Sequence, residues 1–310
     1  MRSLMYIILL FVVLSSCAAK PEGANSAAIS GRYTNPVLFN LADPCILLYD
    51  GTYYMSGTGD NVSYYIYTSK DLVNWSKGNR IFGPGSEKDF WAPDIFYSHS
   101  DKTFYLYYTV NYKIGVASSS TPDGKYKDLG ILIKSSGDAQ MFQDTDGSFY
   151  LYYSSNFTEI YVQPMSNPVT LKGFPKRLLT FDQGWDSPRN EAPWIFKRNN
   201  IYYLLYSGNN ADLRNYAIGC ATSSNPAGPF KKYEANPIIS QNSNVYGPGS
   251  CCVIENKNGE YWLLYHQKDF PGTGFERSIC LDKLWFDESG ILHGIATKYI
   301  LQPSPKAVNN

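Results

Sequence analysis

The chain has 310 residues, with 27 basic against 27 acidic side chains and only 17% charged. A formal charge of zero gives no basic footprint for nucleic acid, and 44% hydrophobic residues exclude a disordered composition. Aromatic residues make up 16% of the chain (27 Tyr, 16 Phe, 6 Trp) beside 25 Gly and 18 Pro, a mixture that suits short pleated strands joined by tight turns and argues against an all-helical protein.

Residues 1–16 read as a targeting segment. Arg2 supplies a positive start, and Leu4 to Leu14 form a nearly unbroken apolar run. The run is shorter than the ~20 residues that a permanent membrane helix needs. Leu14-Ser15-Ser16-Cys17 resembles a bacterial lipobox, in which the Cys17 thiol is acylated and becomes the new N-terminus. Residues 17–31 are small and polar and are expected to form a flexible tether. The expectation is an exported lipoprotein held to the membrane through Cys17. No acidic run follows that cysteine, which points to the periplasmic face of a bacterial outer membrane. The other five cysteines lack metal-ligand spacing and read as buried small hydrophobes.

From residue 32 onward one heptapeptide recurs. Its copies are Thr52-Tyr-Tyr-Met-Ser-Gly-Thr58, Thr103-Phe-Tyr-Leu-Tyr-Tyr-Thr109, Ser148-Phe-Tyr-Leu-Tyr-Tyr-Ser154, Ile201-Tyr-Tyr-Leu-Leu-Tyr-Ser207 and Glu260-Tyr-Trp-Leu-Leu-Tyr-His266. Most follow a hairpin dipeptide: Asp50-Gly51, Asp146-Gly147 and Asn258-Gly259 are strong, Asn199-Asn200 weaker. An apolar strand precedes each turn, and a third usually follows, as in Tyr64-Tyr-Ile-Tyr-Thr68. Repeating units of about 45–60 residues, each a small antiparallel sheet, predict an all-β, five-bladed β-propeller over residues 32–310. Unrelated hairpins in a sandwich would not share this spacing.

Nine or ten places before each heptapeptide stand Asp43, Asp94, Asp138, Glu191 and Ser250. The first strand of a propeller blade lines the axis, so these carboxylates are expected to converge on one funnel. Acids crowded together repel, which raises some pKa values and divides the group into acid and base. Paired carboxylates with abundant aromatics point to glycoside hydrolysis. Trp75, Trp91, Trp185 and Tyr246 are candidate platforms for sugar rings.

These residues resemble glycoside hydrolase family 43. The resemblance rests on Ala42-Asp-Pro44, Trp91-Ala-Pro-Asp94, Asp138 before Met141-Phe142, and Asn190-Glu-Ala-Pro193, with Ser69 to Trp75 and Gly247-Pro-Gly249 in support. It runs from Asn35 to about Gly290 and implies a five-bladed propeller acting with inversion. It also implies Asp43 as general base, Glu191 as general acid, and Asp138 as the carboxylate that tunes the acid and orients the sugar. Trp91 and Arg277 are expected on the substrate side of the funnel, and Asp94 either there, lining the funnel, or as a structural residue. His266 is expected near the axis, where relatives contact calcium directly or through water; no cofactor is expected for the chemistry itself.

The resemblance further implies release of pentose units, as by an α-L-arabinofuranosidase or β-xylosidase, from plant cell-wall carbohydrate. Endo-arabinanase and galactose-acting activities are the alternatives within the family. A non-catalytic sugar-binding lipoprotein is the alternative of another class, and its mark would be loss of Asp43 or Glu191. Both are present.

Overall fold

A computed structural model describes residues 31–83 and 87–305, so the targeting segment, Cys17 and all of the tether but its last residue lie outside the described residues. Five antiparallel sheets follow one another along the chain, four of them with four strands in sequence order. Their innermost strands are Ala42–Tyr49, Phe90–Ser98, Ser136–Gln143, Asn190–Arg198 and Gly249–Glu255. The third sheet differs, because both Thr170–Leu171 and Lys176–Leu179 pair with its third strand, Glu159–Asn167. The heptapeptides form the second strand of every sheet. The chain is a five-bladed β-propeller.

Alternation along the second strands explains the packing. Side chains of successive residues point to opposite faces of a sheet, and the tyrosine-rich heptapeptide has an apolar residue for each face. Five separate apolar clusters result, one between each pair of neighbouring blades. Tyr107, Tyr152, Tyr206 and Tyr265 are fully buried in these seams. Each still finds a polar partner for its hydroxyl, as when Tyr152 Oη donates to Pro226 O at 2.5 Å and Tyr265 Oη to Asp282 Oδ2 at 2.6 Å.

The circle is closed by the N-terminal segment. Val37 N donates to Ile279 O at 2.8 Å, and Ile279 N to Leu38 O at 2.7 Å. Arg32 and Tyr33 pair with Pro303 and Gln302. Both ends of the propeller chain therefore lie against the third strand of the fifth blade, Arg277–Phe286. Asp282 acts as the clasp: it accepts from Asn35, Tyr265, Thr297 and Gln302.

A second device repeats at the start of all five inner strands. Each has a bulge, and within it one residue has a left-handed backbone: Asp43 (φ 49°), Ala92 (36°), Asp138 (53°), Ala192 (52°) and Ser250 (45°). The N–H of the bulge residue faces the last side chain of the preceding blade's heptapeptide. Ala92 N donates to Thr58 Oγ1 at 2.9 Å, Asp138 N to Thr109 Oγ1 at 3.1 Å, Ala192 N to Ser154 Oγ at 2.9 Å, and Ser250 N to Ser207 Oγ at 2.8 Å. In the fifth place Asp43 N lies 3.4 Å from His266 Nδ1. The terminal Thr or Ser of the first four heptapeptides thus caps an amide that the bulge removes from the strand ladder, and His266 takes the equivalent place beside Asp43.

This ring corrects the expected register. Asp43 and Asp138 are bulge residues, whereas Glu191 stands one place before Ala192, and Asp94 two places after Ala92. Hairpin and bulge lengths vary by a residue or two between blades, so counting back from the heptapeptide mixes three different positions.

Candidate active site

The bulged ends of the inner strands surround a cavity of about 1190 Å³ lined by Asp43, Asp138, Glu191, Trp91 and Arg277, among others. A bulge re-aims the side chain it carries, which is how acids from the first, third and fourth blades reach one space. Asp94 does not line it. Asp94 is buried beneath, where Oδ2 accepts from Met141 N of the next blade at 2.9 Å. Two residues past the bulge, its side chain meets a neighbouring backbone, which is the structural place of the two expected for it and not the substrate-side one.

The environments of the three lining acids differ. Arg277 Nη1 donates to Asp43 Oδ1 at 3.0 Å, and His266 Nδ1 is 3.1 Å from the same oxygen. Burial alone would raise the Asp43 carboxyl. The Arg277 charge and the His266 hydrogen bond outweigh it and hold this carboxyl well below the usual range. Asp138 Oδ2 accepts from Ser154 Oγ at 2.8 Å and from Ala192 N at 3.2 Å. Burial pushes Asp138 up, the Ser154 bond opposes it, and the Asp43 charge adds to it, leaving the group at about 6. Glu191 Oε1 accepts from Tyr216 Oη at 2.9 Å. Burial first, and then the Asp138 charge, push Glu191 up to about 8.

At pH 7, then, Asp43 is an anion and Glu191 carries its proton. This is the division that acid–base chemistry on a glycosidic bond requires.

His266 is fully buried, and burial together with the Arg277 charge lowers it to about 4, so it is neutral at pH 7. A neutral imidazole has one N–H, and the acceptor within reach of the ring, Asp43 Oδ1, lies beside Nδ1, which assigns the proton to Nδ1. Nε2 is left buried without a protein partner. Among the described residues, no three His, Cys, Asp or Glu side chains are grouped to hold a metal ion. Calcium takes roughly six to eight oxygen ligands. The donor set therefore fits a hydrated cation meeting one nitrogen, and does not form a protein-built calcium cage.

One stretch of the wall is an aromatic cluster. Trp91 Nε1 donates to Asn61 Oδ1 at 2.8 Å, and its ring stands edge-on to Tyr112 (5.1 Å, 87°) and Phe157 (6.1 Å, 83°). Asn111-Tyr112 and Asn156-Phe157 each place two consecutive residues at positive φ, between 49° and 58°. Asparagine tolerates that backbone, but a bulky aromatic rarely adopts it. The strain holds both rings at the cavity wall, the kind of place where such strain collects. Of the other proposed platforms, Trp75 is buried and donates to Leu72 O, Trp185 packs at a tilt against Tyr206, and Tyr246 lies under Arg214 and Lys298. None of these lines the cavity.

Tyr216 is the participant that sequence reasoning missed. It holds Glu191 and stacks on His266 with ring centroids 5.7 Å apart and planes within 7°. Gly249 makes room for it, since a Cβ there would stand 1.9 Å from Tyr216 Cε1. One tyrosine among 27 carries no mark in the sequence. The Gly-Pro-Gly run was the available signal.

Residues 33–292 match the family described as "Glycosyl hydrolases family 43". The chain belongs to that family and is a glycosidase. Among curated relatives it is 26% identical over 279 residues to "Beta-D-galactofuranosidase xynD" of Aspergillus niger, covering 80% of each chain. It is 27% identical over 254 residues to "Arabinan endo-1,5-alpha-L-arabinosidase A" of Aspergillus niger, covering 70% of this chain and 78% of that one. Among solved structures, a thermostable family-43 glycoside hydrolase superposes with a TM-score of 0.82 at 31% identity, over 89% of this chain and all (100%) of the other.

Proposed function

We propose that the protein hydrolyses pentosidic linkages of plant cell-wall carbohydrate with inversion, releasing α-L-arabinofuranosyl or β-xylosyl units. Asp43 takes a proton from the attacking water. Glu191 gives its proton to the departing oxygen. Asp138 keeps the Glu191 proton in place and orients the sugar. The carrying observation is that Asp43, held by Arg277 and His266, and the buried Glu191, held by Tyr216, face one cavity. Trp91, Tyr112 and Phe157 offer an apolar face to the sugar ring. A hydrated cation at His266 Nε2 would add positive charge behind Asp43.

A second reading is endo-action on arabinan. It is favoured by the cavity volume, which exceeds the roughly 300–1,000 Å³ of usual small-ligand sites, and by the arabinanase names of several relatives. Product length separates the two readings: monosaccharide from the first turnover supports release from chain ends, and mixed oligosaccharides support internal cleavage. The acid and base roles are tested by leaving-group dependence. Glu191→Gln should lose far more activity on natural oligosaccharides than on nitrophenyl glycosides, while Asp43→Asn should be severely impaired on both. The reverse pattern exchanges the roles, and a first-formed sugar of retained configuration by NMR refutes inversion.

The same reading carries the proposal that Cys17 is acylated and anchors the enzyme at the periplasmic face of an outer membrane. It rests on the apolar run and small residues before Cys17. Release of Cys17→Ser from the membrane fraction is the expected result.

A further inference from the structure

Lys268 has no exposed surface in the fold. It ends the second strand of the fifth blade, two places after His266. Lysine is almost never fully buried unless paired, yet its ammonium reaches no carboxylate within ion-pair distance among the described residues. Its hydrogen-bond partners are two backbone carbonyls: Nζ donates to Asp212 O at 2.7 Å and, over a short contact, to Gly274 O, and it also stands over the Phe270 ring at 5.4 Å.

Those carbonyls belong to different blades. Asp212 is in the loop between the second and third strands of the fourth blade, which runs into Tyr216. Gly274 is in the equivalent loop of the fifth blade, which runs into Arg277. The two loops also touch directly, with Gly274 N donating to Asp212 O at 3.2 Å. Both carry residues of the cavity wall, Asp212 with Tyr216 on one and Phe275 with Arg277 on the other. Tyr216 holds the acid and Arg277 holds the base.

The lysine is itself fixed from three sides. Its amide donates to Tyr246 O at 2.8 Å, its carbonyl accepts from Lys298 Nζ at 2.9 Å, and Gly247 packs so closely that a Cβ there would stand 2.6 Å from Lys268 Cδ.

We propose that Lys268 is a positioning residue for the hydrolysis: its buried ammonium fastens the Tyr216 loop to the Arg277 loop and so fixes the acid against the base. This rests on the acid and base roles given above. A flexible stem with three donors at its tip suits the task, because it can satisfy carbonyls on two loops from the end of a strand. Holding the walls together also keeps water from Glu191, whose proton depends first on burial.

The test uses the full chain and its Lys268→Met variant, which keeps most of the stem and removes the donors. A displacement of about 1 Å at the reacting groups can reduce rate ~10²-fold, and kcat on arabino- or xylo-oligosaccharides should fall by about that factor. In addition, the basic limb of kcat/KM against pH should move to lower pH as water reaches Glu191, a change that mere loss of stability does not produce. A lowered melting temperature with unchanged kcat and an unmoved basic limb overturns the proposal. Should Lys268→Met fail to fold, Lys268→Gln, which retains one donor group, is read in the same way. Hydrogen exchange of the Gly274 amide in the unaltered protein decides independently: protection comparable to the blade strands is expected, and exchange at the rate of an open loop overturns the tie. Asp43→Asn and Glu191→Gln run alongside on the same oligosaccharides. If those two retain activity the roles themselves have failed, and the exchange result still judges the Lys268 tie.

Discussion

Replacing Asp138 by Asn alters one charge and little else. The amide oxygen can still accept from Ser154 Oγ and Ala192 N, which now bond Oδ2 at 2.8 and 3.2 Å, so the fold should survive. What disappears is the anion that, after burial, does most to keep Glu191 at about 8. With a value of 8, about nine in ten molecules hold the Glu191 proton at pH 7; at the ordinary glutamate value near 4.5, only about one in three hundred would. Burial remains in the variant and is the larger cause, so the new value should fall between those limits. The protonated form is the active one, so a lower value moves the basic limb of kcat/KM toward lower pH. Above that limb each unit of displacement removes a further tenfold of activity. The assay is kcat/KM from pH 4 to 10 on an unactivated oligosaccharide, for which proton donation matters, with folding checked at each pH. A basic limb that stays in place, or moves up, would refute the view that Asp138 sustains the acid.

Glu191→Gln should raise the melting temperature at pH 8–9 while removing activity. The native acid holds a proton that the unfolded chain gives up above about pH 4.5, so its contribution to stability declines as pH rises through the folded value near 8; scanning calorimetry should find a gain of a few kcal/mol in this range and almost none at pH 4. Arg277→Met strips Asp43 of its strongest partner, so the acidic limb should move up and kcat/KM at pH 5 should fall further than at pH 7. Gly249→Ala must displace Tyr216, given the 1.9 Å approach; a folded variant with near-normal kcat would contradict the role given to that tyrosine. Thr109→Val removes the cap from Asp138 N and should lower stability by about 1–3 kcal/mol, as an unsatisfied buried donor does, measured by urea unfolding.

The blades were legible because strand, turn and core signals agree within each repeat. Asp50-Gly51 or Asn258-Gly259 sets the hairpin, and the Tyr-Leu-Tyr pattern after it fills two seams at once. The seventh position of the heptapeptide was visible as Thr, Thr, Ser, Ser and His, but its purpose was not. Only the bulge explains it, and a bulge is one extra residue whose place no side chain marks. For the same reason Asp94 looked equivalent to Asp43, although Ala92 is its structural counterpart. Lys268 escaped for a different cause. Charge predicts exposure, and nothing local to a lysine announces that two loops from other parts of the chain will bring it carbonyls.

The general base is assembled from the two extremes of the propeller. Asp43 is on the first blade, while Arg277 and His266, which keep it ionised, are on the last. During synthesis the nucleophile's activator therefore exists as a sequence long before it exists as a functional group, because its counter-charge is translated more than two hundred residues later. Until the first and last blades meet, Asp43 has no guanidinium beside it. Hydrolysis by this enzyme consequently reports that the ring has shut, and a chain stalled with one blade undocked would be unreactive even with all three acids in place.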